Sequence, residues 1–260
     1  MKEIKAYFDE NEKPLDNIVE DGGFCKIFRT IACIGDSLSS GEFQVMLESG
    51  KWGYYDMYEY SWGQFMARSC GNTVYNFSQG GMSCREFLNE FADKNDLWNE
   101  EKKCQAYIFA LGVNDLAVLE HELGTIDDVC ENYKDNKDTF AGNFAKIVAR
   151  YKEIAPDAKF FFVTMPRKET SPYDSHAENQ AKLMYQIAEK FSDCYVIDLT
   201  HNGPVHDADF RDKFYMGGHM TPAGYALMAK MISSYIDYII RHNMDDFRHV
   251  GFIGKGIRIK

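Results

Sequence analysis

Residues 31–41 read Ile-Ala-Cys-Ile-Gly-Asp-Ser-Leu-Ser-Ser-Gly, an apolar run that leads into a turn with a serine just beyond it. The apolar run starts at residue 27 and is nearly continuous to residue 34, which is typical of a strand buried on both faces of a parallel sheet. Glycine, aspartate and serine are ordinary turn residues. The stretch by itself therefore fits either a nucleophilic serine or a simple turn, and the rest of the chain has to decide.

Further apolar segments bounded by turn signals are predicted to be strands, and they lie at 73–77, 105–111, 159–165 and 194–199. Apolar residues recur at helical spacing between them, so helices are predicted at 59–70, 84–92, 138–154, 176–191 and 222–241. Strands that alternate with helices and are apolar almost throughout indicate an α/β fold. We expect a central, mostly parallel five-stranded sheet with helices on both faces.

The length and composition predict one compact domain. The 260 residues contain no linker-like segment, so we expect a single domain over 1–260 with partly ordered peripheral arms at about 1–25 and 242–260. Hydrophobic residues make up 45% of the chain, which is enough for a core covered on both faces. No pattern indicates an oligomeric state.

The charge and the cysteines exclude several classes of partner and site. The net charge of −11 argues against nucleic acid or an anionic membrane as partner and favours a neutral or weakly charged small molecule. No apolar run could span a bilayer, and the charged N-terminus lacks the apolar stretch of a signal peptide, so we expect a cytoplasmic protein. The seven cysteines are odd in number and form no C-x-x-C pair, which indicates neither a disulfide framework nor a zinc site.

Residues with useful chemistry follow four of the five predicted strands. Ser37 follows the first strand, Gly80 and Gly81 the second, and Asn114 the third, while His219 lies in the long segment after the fifth. Ligands of open parallel sheets bind beyond the carboxyl ends of the strands. If the strand order is 2-1-3-4-5, Gly81 and Asn114 are expected on either side of Ser37.

Ester hydrolysis by a serine needs a base for the hydroxyl proton and donors for the oxyanion. His219 can be the base. The backbone N–H groups of Ser37 and Gly81 and the side-chain amide of Asn114 are three candidate donors. Gly80 competes with Gly81 for this role, because two adjacent glycines leave the register open by one residue.

The ordered blocks of this sequence resemble those of the SGNH, or GDSL, hydrolases. The matching blocks are Gly35-Asp36-Ser37-Leu38, Asn76-Phe77-Ser78-Gln79-Gly80-Gly81, Gly112-Val113-Asn114-Asp115, and His219 before Thr221-Pro222-Ala223-Gly224-Tyr225. The resemblance implies a three-layer α/β/α, flavodoxin-like fold and hydrolysis of carboxylic esters through a covalent acyl-serine, with no metal or organic cofactor. It also implies Ser37 as nucleophile, His219 as base, and Gly81, Asn114 and the backbone of Ser37 as oxyanion donors.

One acid that is usual in this family is absent. The family carries Asp-x-x-His, whereas Met216 stands three residues before His219 in this chain. A carboxylate in that position orients the imidazole and stabilises its protonated form. A backbone carbonyl near Met216 could orient the ring instead, in a slower Ser–His dyad. The candidate carboxylates are Asp198, Asp207, Asp209 and Asp212.

The segment 51–62 follows the nucleophile turn and is dense in aromatic residues. We expect Trp52, Tyr54 and Tyr55 to contact substrate, because aromatic faces with polar tips suit a sugar ring or an acyl chain. The leading hypothesis is a serine esterase that removes a short acyl group, for example acetyl, from a carbohydrate or small metabolite. The alternative is a small-molecule- or carbohydrate-binding protein on the same scaffold whose catalysis is weakened or lost, which the missing aspartate motivates.

Overall fold

A computed structural model describes residues 8–257, which contain nine strands. In chain order they are β1 (Thr30–Gly35), β2 (Glu42–Met46), β3 (Trp52–Asp56), β4 (Thr73–Ser78), β5 (Ala106–Ala110), β6 (Lys159–Val163), β7 (Cys194–Ile197), β8 (Tyr215–Met216) and β9 (His219–Met220). Five of them form one parallel sheet in the order β4-β1-β5-β6-β7. This order confirms the predicted sheet. Two antiparallel pairs lie outside the sheet, β2 with β3 and β8 with β9.

The α-helices in the described residues are α1 (Ser37–Ser40), α2 (Trp62–Cys70), α3 (Cys84–Glu86), α4 (Ala92–Lys94), α5 (Phe140–Ile154), α6 (Tyr173–Lys190), α7 (Leu199–Asn202), α8 (Ala208–Phe214), α9 (Pro222–His242) and α10 (Met244–Phe247). Two π-helical turns are Phe87–Phe91 and Asn114–Val118. The 3₁₀ turns are Gly23–Ile27, Tyr58–Tyr60, Glu100–Lys102, Ile126–Asp128, Tyr133–Asp135 and Val250–Phe252. Among residues 8–257, no helix is both long and apolar enough to cross a membrane.

The sheet is buried on both faces. Successive side chains of a strand point to opposite faces. Phe160 and Phe162 of β6 therefore pack with α5 residues such as Phe144, whereas Phe161 packs with α9 residues such as Ile232. All four phenylalanines are 0% exposed. Two apolar layers on either side of one sheet give the predicted α/β/α architecture.

The two segments predicted as peripheral arms contribute buried side chains over their described parts. Cys25 from the N-terminal segment and Phe247 and Val250 from the C-terminal segment belong to the apolar cluster between the sheet and α9. Arg241 of α9 also forms ion pairs with Glu12 and, at 2.8 Å, with Asp237. Residues 1–7 and 258–260 of the two arms lie outside the described residues. The described parts of both arms are thus packed on one layer of the fold.

The β2–β3 hairpin is the main element that the sequence analysis does not predict. It begins at Gly41, whose φ of 81° lets the chain reverse directly after α1. Strand β2 has only five residues, and Phe43 is the one that is buried, so the alternation of buried and exposed side chains is too short to predict a strand. The hairpin packs against β8 and β9 and so covers part of the sheet edge where the predicted site lies.

Candidate active site

The turn after β1 holds Ser37 at the carboxyl edge of the sheet. The buried carboxylate of Asp36 accepts a hydrogen bond from the N–H of Leu38 at 3.0 Å and caps α1. Burial raises the pKa of Asp36 to about 6. Asp36 therefore shapes the turn, and Ser37 in the first turn of α1 stays half-buried.

The strands on either side of β1 end in the loops that carry the candidate oxyanion donors. Gly35 pairs with Ser78 of β4 and with Ala110 of β5, so both loops leave the sheet beside the nucleophile turn. The side-chain amide of Asn114 donates a hydrogen bond to the carbonyl of Met82 at 3.1 Å. An amide nitrogen carries two N–H bonds, so one holds the side chain in place and the other is left for a ligand.

The two adjacent glycines lack a side chain for different reasons. Gly81 has a φ of 75°, a left-handed conformation that favours glycine. At Gly80, a Cβ atom would displace the carboxylate end of Glu42, whose Oε2 lies against this position. Both glycines line a groove of ≈ 320 Å³ that continues past Met82. The role of Gly81, or of Gly80, as oxyanion donor stays a prediction.

Asp115 joins the two loops. Its two carboxylate oxygens accept hydrogen bonds from the N–H of Cys84 at 3.0 and 3.2 Å, and Cys84 begins α3 just after the glycine loop. Burial raises the pKa of Asp115 to about 7. This carboxyl group thus sets the spacing between the loop of Gly81 and that of Asn114.

His219 lies on β9, which packs against both α1 and β2. Its Nε2 atom is 3.0 Å from Oε1 of Glu42, and the two side chains are 14% and 16% exposed. Its Nδ1 atom is buried and has no hydrogen-bond partner within the described part of the chain. Burial lowers the pKa of His219 against the opposing effect of Asp56, and burial raises the pKa of Glu42.

The contact with Glu42 places a carboxylate beside Nε2 of His219. An ionised carboxylate can only accept hydrogen bonds, so a neutral ring that bonds Glu42 carries its proton on Nε2 and its lone pair on Nδ1. Nδ1 has no hydrogen-bond partner among residues 8–257, Ser37 included.

The groups that the sequence suggested for orienting His219 lie elsewhere. Asp207 caps α8, and Asp198 binds Nδ1 of His201 at 2.8 Å. Met216 pairs with His219 along the backbone of β8 and β9, but no carbonyl within residues 8–257 bonds the buried ring nitrogen. The other two candidates, both on α8, are Asp209 and Asp212. In the described part of the chain, the acid that contacts the histidine is the glutamate of β2.

Glu42 is the residue of the candidate site that the sequence analysis missed. It lies five positions after Ser37, and neither spacing nor a motif distinguishes it from the other 39 acidic residues of the chain. The available signal was weak: Gly41 could reverse the chain, and the alternation in residues 42–46 could indicate a short strand that returns over the site.

The aromatic residues predicted to contact substrate lie on β3 and are exposed. Tyr54 stands opposite Gln44 in the hairpin, and its ring meets the ring of His219 edge to face, with centroids 6.1 Å apart. Trp52 lies two residues from Tyr54 and shares its face, whereas Tyr55 lies on the opposite face. The structure thus brings Tyr54 to the histidine, with Trp52 on the same side and Tyr55 on the other.

The described residues hold no arrangement typical of a bound metal. Within 8–257, no group of three or more His, Cys, Asp and Glu side chains could hold a metal ion. All seven cysteines have free thiols.

Comparison by sequence identifies one family. Residues 33–227 match the profile of the GDSL-like Lipase/Acylhydrolase family, a range that includes Ser37, both glycines, Asn114 and His219. No curated protein matches the chain at a significant level.

Solved structures with the same fold include carbohydrate esterases. A family two carbohydrate esterase from Clostridium thermocellum, in complex with cellohexaose, is 14% identical with a TM-score of 0.57; the match covers 90% of this chain and 66% of that chain. A carbohydrate esterase family 2 enzyme from Corynascus thermopiles is 15% identical with a TM-score of 0.58, and the match covers 88% of this chain and 69% of that chain. A carbohydrate acetylesterase from Sinorhizobium meliloti is 15% identical with a TM-score of 0.54, and the match covers 81% of this chain and 99% of that chain. These likenesses establish a common fold.

Proposed function

Since this chain belongs to the GDSL-like lipase/acylhydrolase family, we propose that it is a serine esterase that cleaves a short acyl ester through an acyl-serine intermediate. The observation that supports this best is the contact of Glu42 with His219 at the sheet edge that carries Ser37, because it supplies the missing acid. The carbohydrate esterases of the same fold favour an acetyl or similar ester of a carbohydrate or small metabolite. A cytoplasmic location is part of the proposal, and the free thiols agree with it.

Acylation starts with attack of Ser37 Oγ on the ester carbonyl. His219 takes the hydroxyl proton, and the imidazolium that forms is stabilised by the carboxylate of Glu42. The carbonyl oxygen becomes an oxyanion that accepts hydrogen bonds from the N–H groups of Ser37 and Gly81 and from the free amide N–H of Asn114. When the carbon–oxygen bond to the alcohol breaks, the imidazolium returns the proton to the leaving alcohol.

Deacylation repeats these steps with water as nucleophile. His219 takes a proton from the water molecule as it attacks the acyl-serine, and the same donors stabilise the second oxyanion. Collapse of this intermediate releases the carboxylic acid, and the proton returns to Ser37 Oγ. The enzyme ends as it began, with one water consumed for each ester.

The proposal is tested by labelling with a fluorophosphonate and by hydrolysis of a short-chain 4-nitrophenyl ester. The wild type should be labelled and should turn over the ester. Ser37→Ala should abolish labelling, and both Ser37→Ala and His219→Ala should lower kcat by at least about 10³-fold, because each removes a member of a unit that acts together.

A matched control is His201→Ala, which removes a histidine that is bound to Asp198 rather than to the site. It should keep labelling and most of the activity. A wild type that is neither labelled nor active would contradict the esterase and favour a binding protein on this scaffold.

A further inference from the structure

Basic residues collect after β6 and β7 in a chain whose net charge is −11. Lys168 follows β6, and Arg211 lies on α8 after β7. Neither side chain is within 4.0 Å of a carboxylate oxygen in the described residues. The same holds for two exposed neighbours, Arg167 and Lys213.

Lys168 is half-buried, and its ammonium group rests on an aromatic ring. The Nζ atom is 3.9 Å from the centroid of the Tyr173 ring. Burial and the nearby charge of Arg211 together lower the pKa of Lys168 to about 8, against the opposing charges of Asp36 and Asp174. Asp36 and Asp174 act on this cation from a distance, and Asp174 accepts a hydrogen bond from the backbone N–H of Lys168 at 2.8 Å. Neither carboxylate pairs directly with the ammonium group, so a bound anion would offset part of the cost of burying it.

Arg211 is exposed and lies over a second aromatic ring. Its guanidinium carbon is 5.2 Å from the ring centroid of Tyr215, whose hydroxyl group bonds Nδ1 of His206 at 2.9 Å. The N–H of His206 donates to the carbonyl of Arg167 at 2.7 Å. This last hydrogen bond joins the segment after β6, which carries Lys168, to the segment before α8, the helix that carries Arg211.

The pair lies near the nucleophile turn. Asp36, the residue before Ser37, and Pro166, two residues before Lys168, line the same cavity. The charge of Asp36 also raises the pKa of Lys168 against the effect of burial. The cations are on the β6–β7 side of Ser37, whereas the glycine loop is on the β4 side. A substrate that reaches both sides would pass over the serine.

We propose that Lys168 and Arg211 form a subsite for an anionic group of the ester substrate, a carboxylate or a phosphate. The planar guanidinium of Arg211 suits bidentate binding of either group, and Lys168 adds a second charge. Tyr173 and Tyr215 form aromatic walls that hold both cations in place. The substrate class is then an acyl ester that carries a negative charge, despite the acidic surface of the protein. This inference rests on the proposed esterase function.

The test compares charged with neutral esters of the same size. On the acyl side, 4-nitrophenyl hydrogen succinate is compared with 4-nitrophenyl butyrate, and on the alcohol side, 1-acetylglycerol 3-phosphate with 1-acetylglycerol. The wild type should prefer the charged ester in at least one pair by kcat/KM. Lys168→Met and Arg211→Met should each reduce that ratio about tenfold, and the ratio should become less dependent on salt.

Two sets of variants keep the result interpretable. Lys168→Arg retains the charge and should keep most of the wild-type ratio, which shows that the effect is not a folding defect. Arg211→Lys retains the charge but not the bidentate geometry, so its ratio should lie between those of the wild type and Arg211→Met. Lys182→Met removes an exposed lysine of α6 and should leave the ratio unchanged.

A wild type that hydrolyses the neutral esters through Ser37 but prefers the charged ester in neither pair overturns this inference alone. The inference is also overturned if the ratio of kcat/KM for the charged ester to that for the neutral ester is unchanged in both Lys168→Met and Arg211→Met. A protein that hydrolyses none of the four esters overturns the esterase function and this inference together.

Discussion

Glu42 touches two parts of the site at once, since Oε1 lies 3.0 Å from His219 and Oε2 lies against Gly80. We predict that Glu42→Gln lowers kcat/KM by about 10²- to 10⁴-fold, because an amide can hold the wrong tautomer of the ring. His219 must be neutral to act, and burial lowers its pKa, so the acid limb of the wild-type profile should lie below about 6.5. Glu42→Gln removes the carboxylate beside His219, so the acid limb of its pH–rate profile should lie at still lower pH than in the wild type.

Asp56→Asn is the matched control for Glu42→Gln. Asp56 also favours the charged form of His219, but its carboxylate accepts a hydrogen bond from the hydroxyl group of Ser40 at 2.7 Å. This control should move the acid limb in the same direction with less than about a tenfold loss of rate. An unchanged rate and pH profile in Glu42→Gln would show that Glu42 does not position the ring, and a faster variant would show that it obstructs the site.

At the scale of elements, the spacing of the two oxyanion loops depends on the bond between Asp115 and the start of α3. Burial raises the pKa of Asp115 to about 7, well above the value near 3.9 of an unfolded chain. The folded state therefore binds this proton more tightly, and the resulting stability is fully present below about pH 4 and is lost as the pH rises to 7. The amide of Asp115→Asn does not titrate, so this variant has no proton-linked stability to lose as the pH rises. The free energy of unfolding of Asp115→Asn relative to wild type should therefore increase with pH, by up to about 4 kcal/mol.

Urea unfolding of both proteins at pH 4.5 and 7.5 measures this difference, since titrations shared by the two proteins cancel. Asp138→Asn is the control, because hydrogen bonds from Asn143 and Arg85 lower the pKa of Asp138. This carboxyl group stays largely ionised in both states between pH 4.5 and 7.5, so the relative stability of Asp138→Asn should stay nearly constant over that range and change only at lower pH. A difference between Asp115→Asn and wild type that does not change with pH would contradict the raised pKa.

At the scale of the whole molecule, the N-terminal segment is joined to α9 by a buried ion cluster. The side chains of Arg241, Glu12 and Asp237 are 3%, 4% and 6% exposed. We predict that Arg241→Met lowers the free energy of unfolding by about 3–5 kcal/mol, because it leaves two carboxylates buried without their cation. Urea denaturation measures the loss.

Arg248→Met provides the control at this scale. Arg248 pairs with Asp245 on the surface, where the two side chains are 68% and 86% exposed. Such a pair contributes at most about 1 kcal/mol. If Arg241→Met cost no more than Arg248→Met, the N-terminal segment would not be part of the cooperative fold.

The five strands of the parallel sheet, and the position of Ser37, the glycines and Asn114 at one edge of it, could be predicted from the sequence, whereas the strand order 2-1-3-4-5 entered only as a condition. Buried parallel strands have continuous apolar runs, and helices have apolar residues three and four apart, so both are visible in short stretches of chain. The order of elements along the chain then permits few topologies. The family motifs agree with that framework because they lie where the strands end.

The acid beside His219 and the cations after β6 and β7 are visible only in the tertiary structure. Glu42 reaches His219 because a two-stranded hairpin folds back over the sheet edge, and a backbone hydrogen bond from His206 to Arg167 joins the two segments that carry Lys168 and Arg211. These contacts join residues far apart in the chain through loops with no periodic pattern. Their geometry depends on packing of the whole molecule, which no local stretch of sequence encodes.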